Sequence, residues 1–152
     1  MSAPASTSAS AAGAPLPAAE RLRAAGLRAT APRVAALGVL AEQPHADADD
    51  VARGVRARIG RVSTQAAYDV LHALVGAGLV RRIEPAGSPA LFELRVGDNH
   101  HHLVCRSCGE VRDVDCAVGA APCLVPAADG TGFAVDEAEV IYWGTCARCA
   151  AA

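Results

Sequence analysis

The sequence predicts an α+β fold built from two parts, a mainly helical first part and a small second part made of short strands. Four runs of apolar residues recur at helical spacing between residues 18 and 78. Two short strand-like runs then flank a Pro-Ala-Gly-Ser-Pro turn at 85–89. All six cysteines follow residue 104, among further short runs typical of strands.

Capping residues delimit the predicted helices. The first, 18–25, ends at Gly26, and the second, 32–41, has a proline in its first turn. Asp47 and Ser63 are suitable N-cap residues for the third and fourth helices, and the fourth carries a continuous apolar stripe. The remaining predicted elements are strands at 79–84, 90–94, 101–105, 110–114 and 133–143.

Helices followed by a β-hairpin indicate a winged helix-turn-helix, and the charge distribution agrees with a double-stranded DNA operator as partner. Residues 20–96 contain eleven arginines and eight acidic residues, whereas 97–152 contain three and eight. The chain has no lysine, and arginine suits phosphates and base edges. We assign base contacts to Gln65 and Tyr68 on the exposed face of the fourth helix. Further predicted DNA contacts are Ser63 and, on the wing, Arg81.

Composition divides the chain into three regions: a disordered tail at 1–16, a winged-helix DNA-binding domain at 17–96 and a metal-binding dimerisation domain at 97–152. The tail is almost entirely Ala, Ser, Pro, Gly and Thr, without the features of a secretory signal. Uncharged stretches in the body are shorter than the ~18 residues that a membrane helix needs. We therefore expect a cytoplasmic protein that does not bind membranes.

Four cysteines form two Cys-x-x-Cys pairs. Cys105 and Cys108, with Cys146 and Cys149, can provide four thiolates to one tetrahedral zinc ion. Cysteines that merely pack have no reason to repeat this spacing, and neither pair opens a helix after a strand as a redox pair does. Because the second part contains one Phe and one Trp, we expect a small α/β dimerisation domain that structural zinc and a partner subunit stabilise.

A second set of potential metal ligands includes two alternate residues of a histidine run. On a strand, His100 and His102 point to the same side. His45, before the third helix, and Glu93, at the end of the hairpin, add a nitrogen and an oxygen ligand, with Asp113 nearby. This ligand set suits Fe(II), Mn(II) or Zn(II). The alternative is a solvated histidine-rich strand without metal.

Cys116 and Cys123 lie outside both pairs. They can form a peroxide-sensitive thiol pair. Alternatively they are small core residues, an interpretation that the sequence slightly favours.

Histidine and cysteine clusters also build zinc enzymes, so this class has to be considered. A zinc deaminase requires His-x-Glu followed by Pro-Cys-x-x-Cys. The run from His100 lacks the glutamate, and neither cysteine pair follows a proline. We therefore expect no catalytic site and no small-molecule substrate.

Together these motifs resemble the ferric uptake regulator (Fur) family over roughly residues 18–150. Two segments are most similar to the actinobacterial FurA/CatR branch, which represses catalase-peroxidase genes. They are Ser63-Thr-Gln-Ala-Ala-Tyr-Asp-Val-Leu and Gly97-Asp-Asn-His-His-His. The other matching segments are Gly26-Leu27-Arg28-x-Thr30-x-Pro32-Arg33, His45-Ala46-Asp47, His100-x-His102-x-x-Cys105-x-x-Cys108-Gly109 and Cys146-x-x-Cys149.

The resemblance implies a homodimeric, metal-dependent repressor that responds to iron and peroxide. It implies that the four-cysteine zinc is structural, and that Arg28 enters an A/T-rich minor groove. It implies a regulatory metal, Fe(II) or alternatively Mn(II) or Zn(II), at the hinge between the domains. The implied regulatory ligands are His45, Glu93, His100, His102 and Asp113.

One residue departs from the family pattern. Asp69 stands next to Tyr68, where many members have arginine. Since a carboxylate repels phosphate, we expect the operator sequence or the DNA affinity to differ from those of iron-uptake regulators. A zinc-responsive uptake repressor of the same family is the alternative function.

Overall fold

The structure is a computed structural model that describes residues 16–119, 124, 132–135 and 138–152. It confirms the predicted α+β class, with the predicted helices in the first part and, apart from one strand of two residues, the strands of the described residues after them. The predicted tail, apart from Leu16, lies outside the described residues. The elements are α1 (Ala18–Ala24), α2 (Ala31–Glu42), β1 (Ala46–Asp47), α3 (Ala48–Ile59), α4 (Thr64–Gly76), β2 (Arg81–Ile83), β3 (Leu91–Glu93), β4 (His100–Cys105), β5 (Val111–Asp115), β6 (Ile141–Gly144) and α5 (Ala147–Ala150).

The predicted caps of the third and fourth helices are confirmed. The Asp47 side chain accepts a hydrogen bond from the Asp50 N–H, and the Ser63 hydroxyl accepts one from the Ala66 N–H. Each bond satisfies one of the amide groups that a helix start leaves without a partner. The four helices pack around one apolar core that includes Leu22, Leu37, Leu40, Leu71 and Leu74.

Two three-stranded sheets bring distant segments together. In the first sheet the order is β1-β3-β2, so the two-residue strand before α3 pairs with the hairpin of the wing. In the second sheet the order is β5-β4-β6, with β4 antiparallel to β5 and parallel to β6. The histidine run therefore occupies the central strand of the second sheet.

The prediction of a strand over 133–143 is wrong in its first part. The strand begins at Ile141, and the described residues 132–135 and 138–140 are not in a strand. Pairing with β4 sets this start, because Ile141 is the first residue in register, opposite His102. None of the helices in the described ranges is long and apolar enough to cross a bilayer.

Candidate functional site

His45 and Glu93 are neighbours across the first sheet. The antiparallel β1–β3 register pairs Ala46 with Phe92. Continued by one residue, this register places His45, directly before β1, opposite Glu93, the last residue of β3. Among the described residues, His45 alone is a non-glycine with a left-handed backbone, at φ 63°. Such a conformation costs of order 1–3 kcal/mol and is often found at functional sites. Here it accompanies a 3.1 Å contact between His45 Nε2 and Glu93 Oε2.

The second sheet supplies three further side chains to the same point. His102 is the direct register partner of Asp113 across β4 and β5, and His100 lies on the same face two residues earlier. His102 Nε2 lies 3.2 Å from Glu93 Oε2, and His100 Nε2 lies 3.2 Å from Glu93 Oε1. The structure thus brings together all five residues predicted as regulatory ligands.

The electrostatics of this cluster centre on Glu93, whose side chain is only 1% exposed. Burial alone raises the pKa of a carboxyl group, but hydrogen bonds from His102 and His45 lower the pKa of Glu93 to about 2. Burial likewise lowers the pKa of His45, but Glu93 and Asp113 raise it above its usual value. The cluster therefore holds a buried carboxylate among imidazoles, a charge arrangement that also suits a divalent cation.

The spacing of the donor atoms tests whether a metal ion fits. One donor atom from each of His45, Glu93, His102 and Asp113 lies within 4.8 Å of the other three. Ligands bound ~2.1 Å from one ion stand about 3.0–3.4 Å apart in octahedral or tetrahedral geometry. Asp113 Oδ1 lies 2.8 Å from His45 Nε2 and 3.6 Å from His102 Nε2.

Asp113 Oδ1 provides a second test of fit. This oxygen is buried and makes no hydrogen bond of good geometry among the described residues; its nearest polar neighbour is His45 Nε2, 2.8 Å away, whose hydrogen bond goes to Glu93. A buried oxygen without a hydrogen bond costs free energy unless another group satisfies it. A divalent cation between the imidazoles and the carboxylates would satisfy it, so the residues fit the metal that the resemblance implies.

The four paired cysteines form the other cluster. Their sulfur atoms lie within 4.8 Å of one another, and Cys108 Sγ is 3.8 Å from Cys146 Sγ. Sulfurs bound tetrahedrally to zinc at ~2.3 Å are about 3.8 Å apart, whereas a disulfide requires ~2.05 Å. Cys105, Cys108, Cys146 and Cys149 are all free thiols. The expectation that neither pair opens a helix after a strand is wrong for Cys146 and Cys149, because Cys146 is the N-cap of α5, which follows β6. What speaks against a redox pair is instead that all four sulfurs lie together. The geometry fits the predicted four-cysteine zinc.

Local groups favour negative charge on part of the cysteine cluster. Backbone N–H groups of Cys146 and Cys108 lower the pKa of Cys105 to about 6. Hydrogen bonding with Cys146 and Cys108 raises the pKa of Cys149 to about 12, because crowded thiols cannot all ionise. Arg148 on α5 donates a hydrogen bond to Cys108 Sγ at 3.5 Å. A bound dication relieves the repulsion among four thiolates.

The structure shows polar contacts to the cluster that sequence reasoning missed, from Asp98 to His100 and from Arg95, whose Nη1 lies 3.8 Å from Asp113 Oδ2. Asp98, in the connection between β3 and β4, lies 2.7 Å from His100 Nδ1 through its Oδ1. Arg95 forms salt bridges with Asp98 and Asp115. The Asp98-x-His100 spacing was visible in the sequence, but only the path of the backbone brings the carboxylate to the ring.

The predicted DNA contacts on α4 share one exposed face. Tyr68 is 47% exposed, Gln65 is also exposed, and Ser63 lies in the exposed N-cap. The amide of Gln65 donates a hydrogen bond to Asp69 Oδ1 at 2.8 Å. Asp69 thus lies on this face beside Tyr68, where its charge faces any DNA that the helix approaches.

Two predicted DNA contacts lie elsewhere. Arg28 is exposed in the connection between α1 and α2, and its carbonyl accepts a hydrogen bond from Arg33. Arg81 begins β2, is only 21% exposed, and places its Nε 4.0 Å from Glu93 Oε1. The structure therefore puts Arg81 beside the metal-ligand cluster, and its contact with DNA stays a prediction.

The remaining pair of cysteines is only partly described. Cys116 is half-buried directly after β5, where its N–H donates to the Asn99 carbonyl. Cys123 lies outside the described residues. The thiol-pair and core interpretations of these cysteines both stay predictions.

Comparison with known proteins assigns a family to these features. The model of the Ferric uptake regulator family matches residues 24–120. Transcriptional regulator FurA of Mycobacterium tuberculosis (strain ATCC 25618 / H37Rv) is 62% identical over 131 residues, covering 86% of this chain and 88% of its own. Ferric uptake regulation protein 1 of Mycolicibacterium fortuitum is 62% identical over 124 residues, covering 82% and 76%. The structure of the ferric uptake regulator from Pseudomonas aeruginosa with manganese superposes with a TM-score of 0.63 at 29% identity, covering 87% and 99%.

Proposed function

The chain belongs to the ferric uptake regulator family, whose members are metal-responsive transcriptional regulators rather than enzymes, and from this premise we propose that it is an iron- and peroxide-responsive repressor. Its partner is an operator in double-stranded DNA, which it binds as a homodimer. Its target is a catalase-peroxidase gene or another oxidative-stress gene. The proposal includes a DNA-binding domain at 17–96 and a dimerisation domain at 97–152.

The observation that carries this proposal is that the candidate ligands around Glu93 come from both sheets. His45 and Glu93 belong to the first sheet, which contains the wing, whereas His100, His102 and Asp113 belong to the second sheet. These ligands from both sheets would hold the regulatory metal, so its binding would restrict the angle between the domains. In a dimer this restriction keeps two recognition helices near the ~34 Å spacing of successive major grooves. Loss of the metal frees the angle and lowers DNA affinity.

The homodimer is supported by the surface of the second sheet. Within the described residues after 96, the buried apolar side chains are only Val104 and Cys105. Leu103 and Tyr142, which are register partners across β4 and β6, remain 45% and 49% exposed. A second copy that covers this face adds the apolar burial that a small domain lacks.

The test compares DNA binding with different metals under anaerobic conditions. Fluorescence anisotropy measures the affinity of zinc-replete protein for a duplex that the protein selects from a random pool and for random duplex, with and without Fe(II), Mn(II) or added Zn(II). We expect Fe(II) to increase the affinity for the specific DNA, and peroxide to reverse the increase. Activation by Zn(II) alone, with no effect of peroxide, would instead support the zinc-responsive uptake repressor.

We predict that Tyr68→Ala reduces discrimination between operator and random DNA by roughly 1–3 kcal/mol, the value of one good base contact. The reason is the exposed position of this ring on α4, within reach of a thymine methyl group. Anisotropy titrations on both DNAs measure the effect, with His72→Ala, one turn further along the same helix, as control. Equal losses of affinity on both DNAs would show that Tyr68 is a structural residue.

We also predict that hydrogen peroxide adds one oxygen atom to a histidine of the iron-loaded protein, while the second oxygen of the peroxide leaves as water. Bound Fe(II) supplies the redox activation, and the imidazoles of His45, His100 and His102 are the nearest side chains. Peptide mass spectrometry locates the added oxygen. A disulfide between Cys116 and Cys123 that a thiol reductant reverses would instead assign sensing to the thiols.

A further inference from the structure

The connection between the two sheets contacts the regulatory cluster through one carboxylate. Asp98 Oδ1 lies 2.7 Å from Nδ1 of His100, on the opposite side of the ring from Nε2, which lies 3.2 Å from Glu93. The His100 side chain is fully buried, whereas Asp98 is 40% exposed. Asp98 therefore approaches the cluster from outside and contacts it through the ring of His100.

The chemistry of this contact fixes which nitrogen carries a proton. An ionised carboxylate only accepts hydrogen bonds, so Nδ1 of His100 must be the donor. Nε2 faces the Glu93 carboxylate, so a metal ion there takes the place of any proton that Nε2 shares with Glu93, while the proton on Nδ1 stays in the contact with Asp98. Arg95 in turn forms a salt bridge with Asp98, which restricts the position of the carboxylate.

His102 provides an internal comparison. Its Nδ1 is buried and has no hydrogen-bond partner among the described residues. Of the two cluster histidines on β4, His100 is thus the one whose Nδ1 contacts a carboxylate within the described ranges. Such outer carboxylates change the metal affinity of a site by about 10–100-fold.

We propose that Asp98 is a positioning residue for the regulatory metal: it holds His100 in the tautomer and orientation that present Nε2 to the ion. Because Asp98 lies in the connection between the two sheets, metal affinity then depends on the conformation of that connection. This inference rests on the proposed regulatory metal at the Glu93 cluster.

The test measures Co(II) binding to the intact protein whose cysteine site is already loaded with zinc. We expect Asp98→Ala to weaken Co(II) binding by about 10–100-fold. Asp98→Asn, whose amide oxygen still accepts a hydrogen bond from Nδ1, should restore most of the affinity. Asp115→Ala is the matched control: Asp115 is the backbone register partner of His100 and its side chain also pairs with Arg95, but the carboxylate that contacts the His100 ring belongs to Asp98. Circular dichroism and zinc content check that each variant is folded.

The outcomes separate this inference from the proposed function. Binding of Co(II) by Asp98→Ala within twofold of wild type would overturn the positioning role while leaving the regulatory site intact. If the wild-type protein binds no Co(II) beyond its zinc, the proposed function itself fails. Nitrogen-15 NMR of the wild type loaded with Zn(II) at both sites gives a test without any variant: we expect a proton on Nδ1 and none on Nε2 of His100, and an unprotonated Nδ1 would overturn the inference.

Discussion

Replacing Cys105 by serine is expected to unfold the second sheet and abolish the dimer. Serine removes one of four sulfurs that converge on a single point, and an incomplete site binds zinc far more weakly. In small domains the free energy of zinc binding is comparable to the whole net stability of a domain, about 5–15 kcal/mol. Because the described residues after 96 bury only two apolar side chains, little else can compensate. Sedimentation analysis should show a monomer, and near-UV circular dichroism should lose the Trp143 signal.

Cys116→Ser is the matched control for this substitution. Cys116 is a half-buried cysteine in the same sheet region, but it is not in the four-sulfur cluster. We expect this variant to keep its zinc and its dimer. A folded, zinc-free dimer of Cys105→Ser would contradict the structural role of zinc and would assign the stability of the domain to its subunit contacts.

Local signals made most of the first part predictable. The caps at Asp47 and Ser63 depend on residues only three positions apart, so the sequence contains the whole interaction. The short strand Ala46–Asp47 was missed, because two residues carry no periodicity and their pairing with β3 joins positions far apart in the chain. The strand predicted from residue 133 failed for a related reason, since pairing with β4 determines where β6 begins.

For the candidate metal ligands, too, local features could be predicted from the sequence and contacts between distant segments could not. Alternation on a strand predicted that His100 and His102 share a side, and the resemblance supplied the complete ligand set. The left-handed backbone of His45 and the contact of Asp98 with His100 could not be predicted, because both depend on how connections cross between elements. The partial burial of Arg81 was missed for another reason: an arginine on a predicted wing was expected to face DNA, whereas Glu93 attracts it.

Replacing Glu93 by glutamine is expected to abolish the response of DNA binding to metal. Glu93 contacts all three histidines of the cluster and is the only buried carboxylate among the five ligands. Glutamine keeps the shape but removes the negative charge that balances a divalent cation. Allosteric coupling between two sites is typically worth about 5–150-fold in affinity, and this factor should fall to about one in the variant. Anisotropy titrations with and without Fe(II) measure the ratio directly.

Glu84→Gln on the same hairpin is the matched control. Glu84 is exposed and, within the described part of the chain, forms a salt bridge only with Arg82. This variant should retain the full metal response, which excludes a general effect of lost negative charge near the wing. The DNA affinity of metal-free Glu93→Gln should equal that of the metal-free wild type, because the winged helix itself is unchanged. A variant that binds DNA tightly without metal would instead indicate that the buried charge of Glu93 keeps the two sheets in a conformation unable to bind DNA.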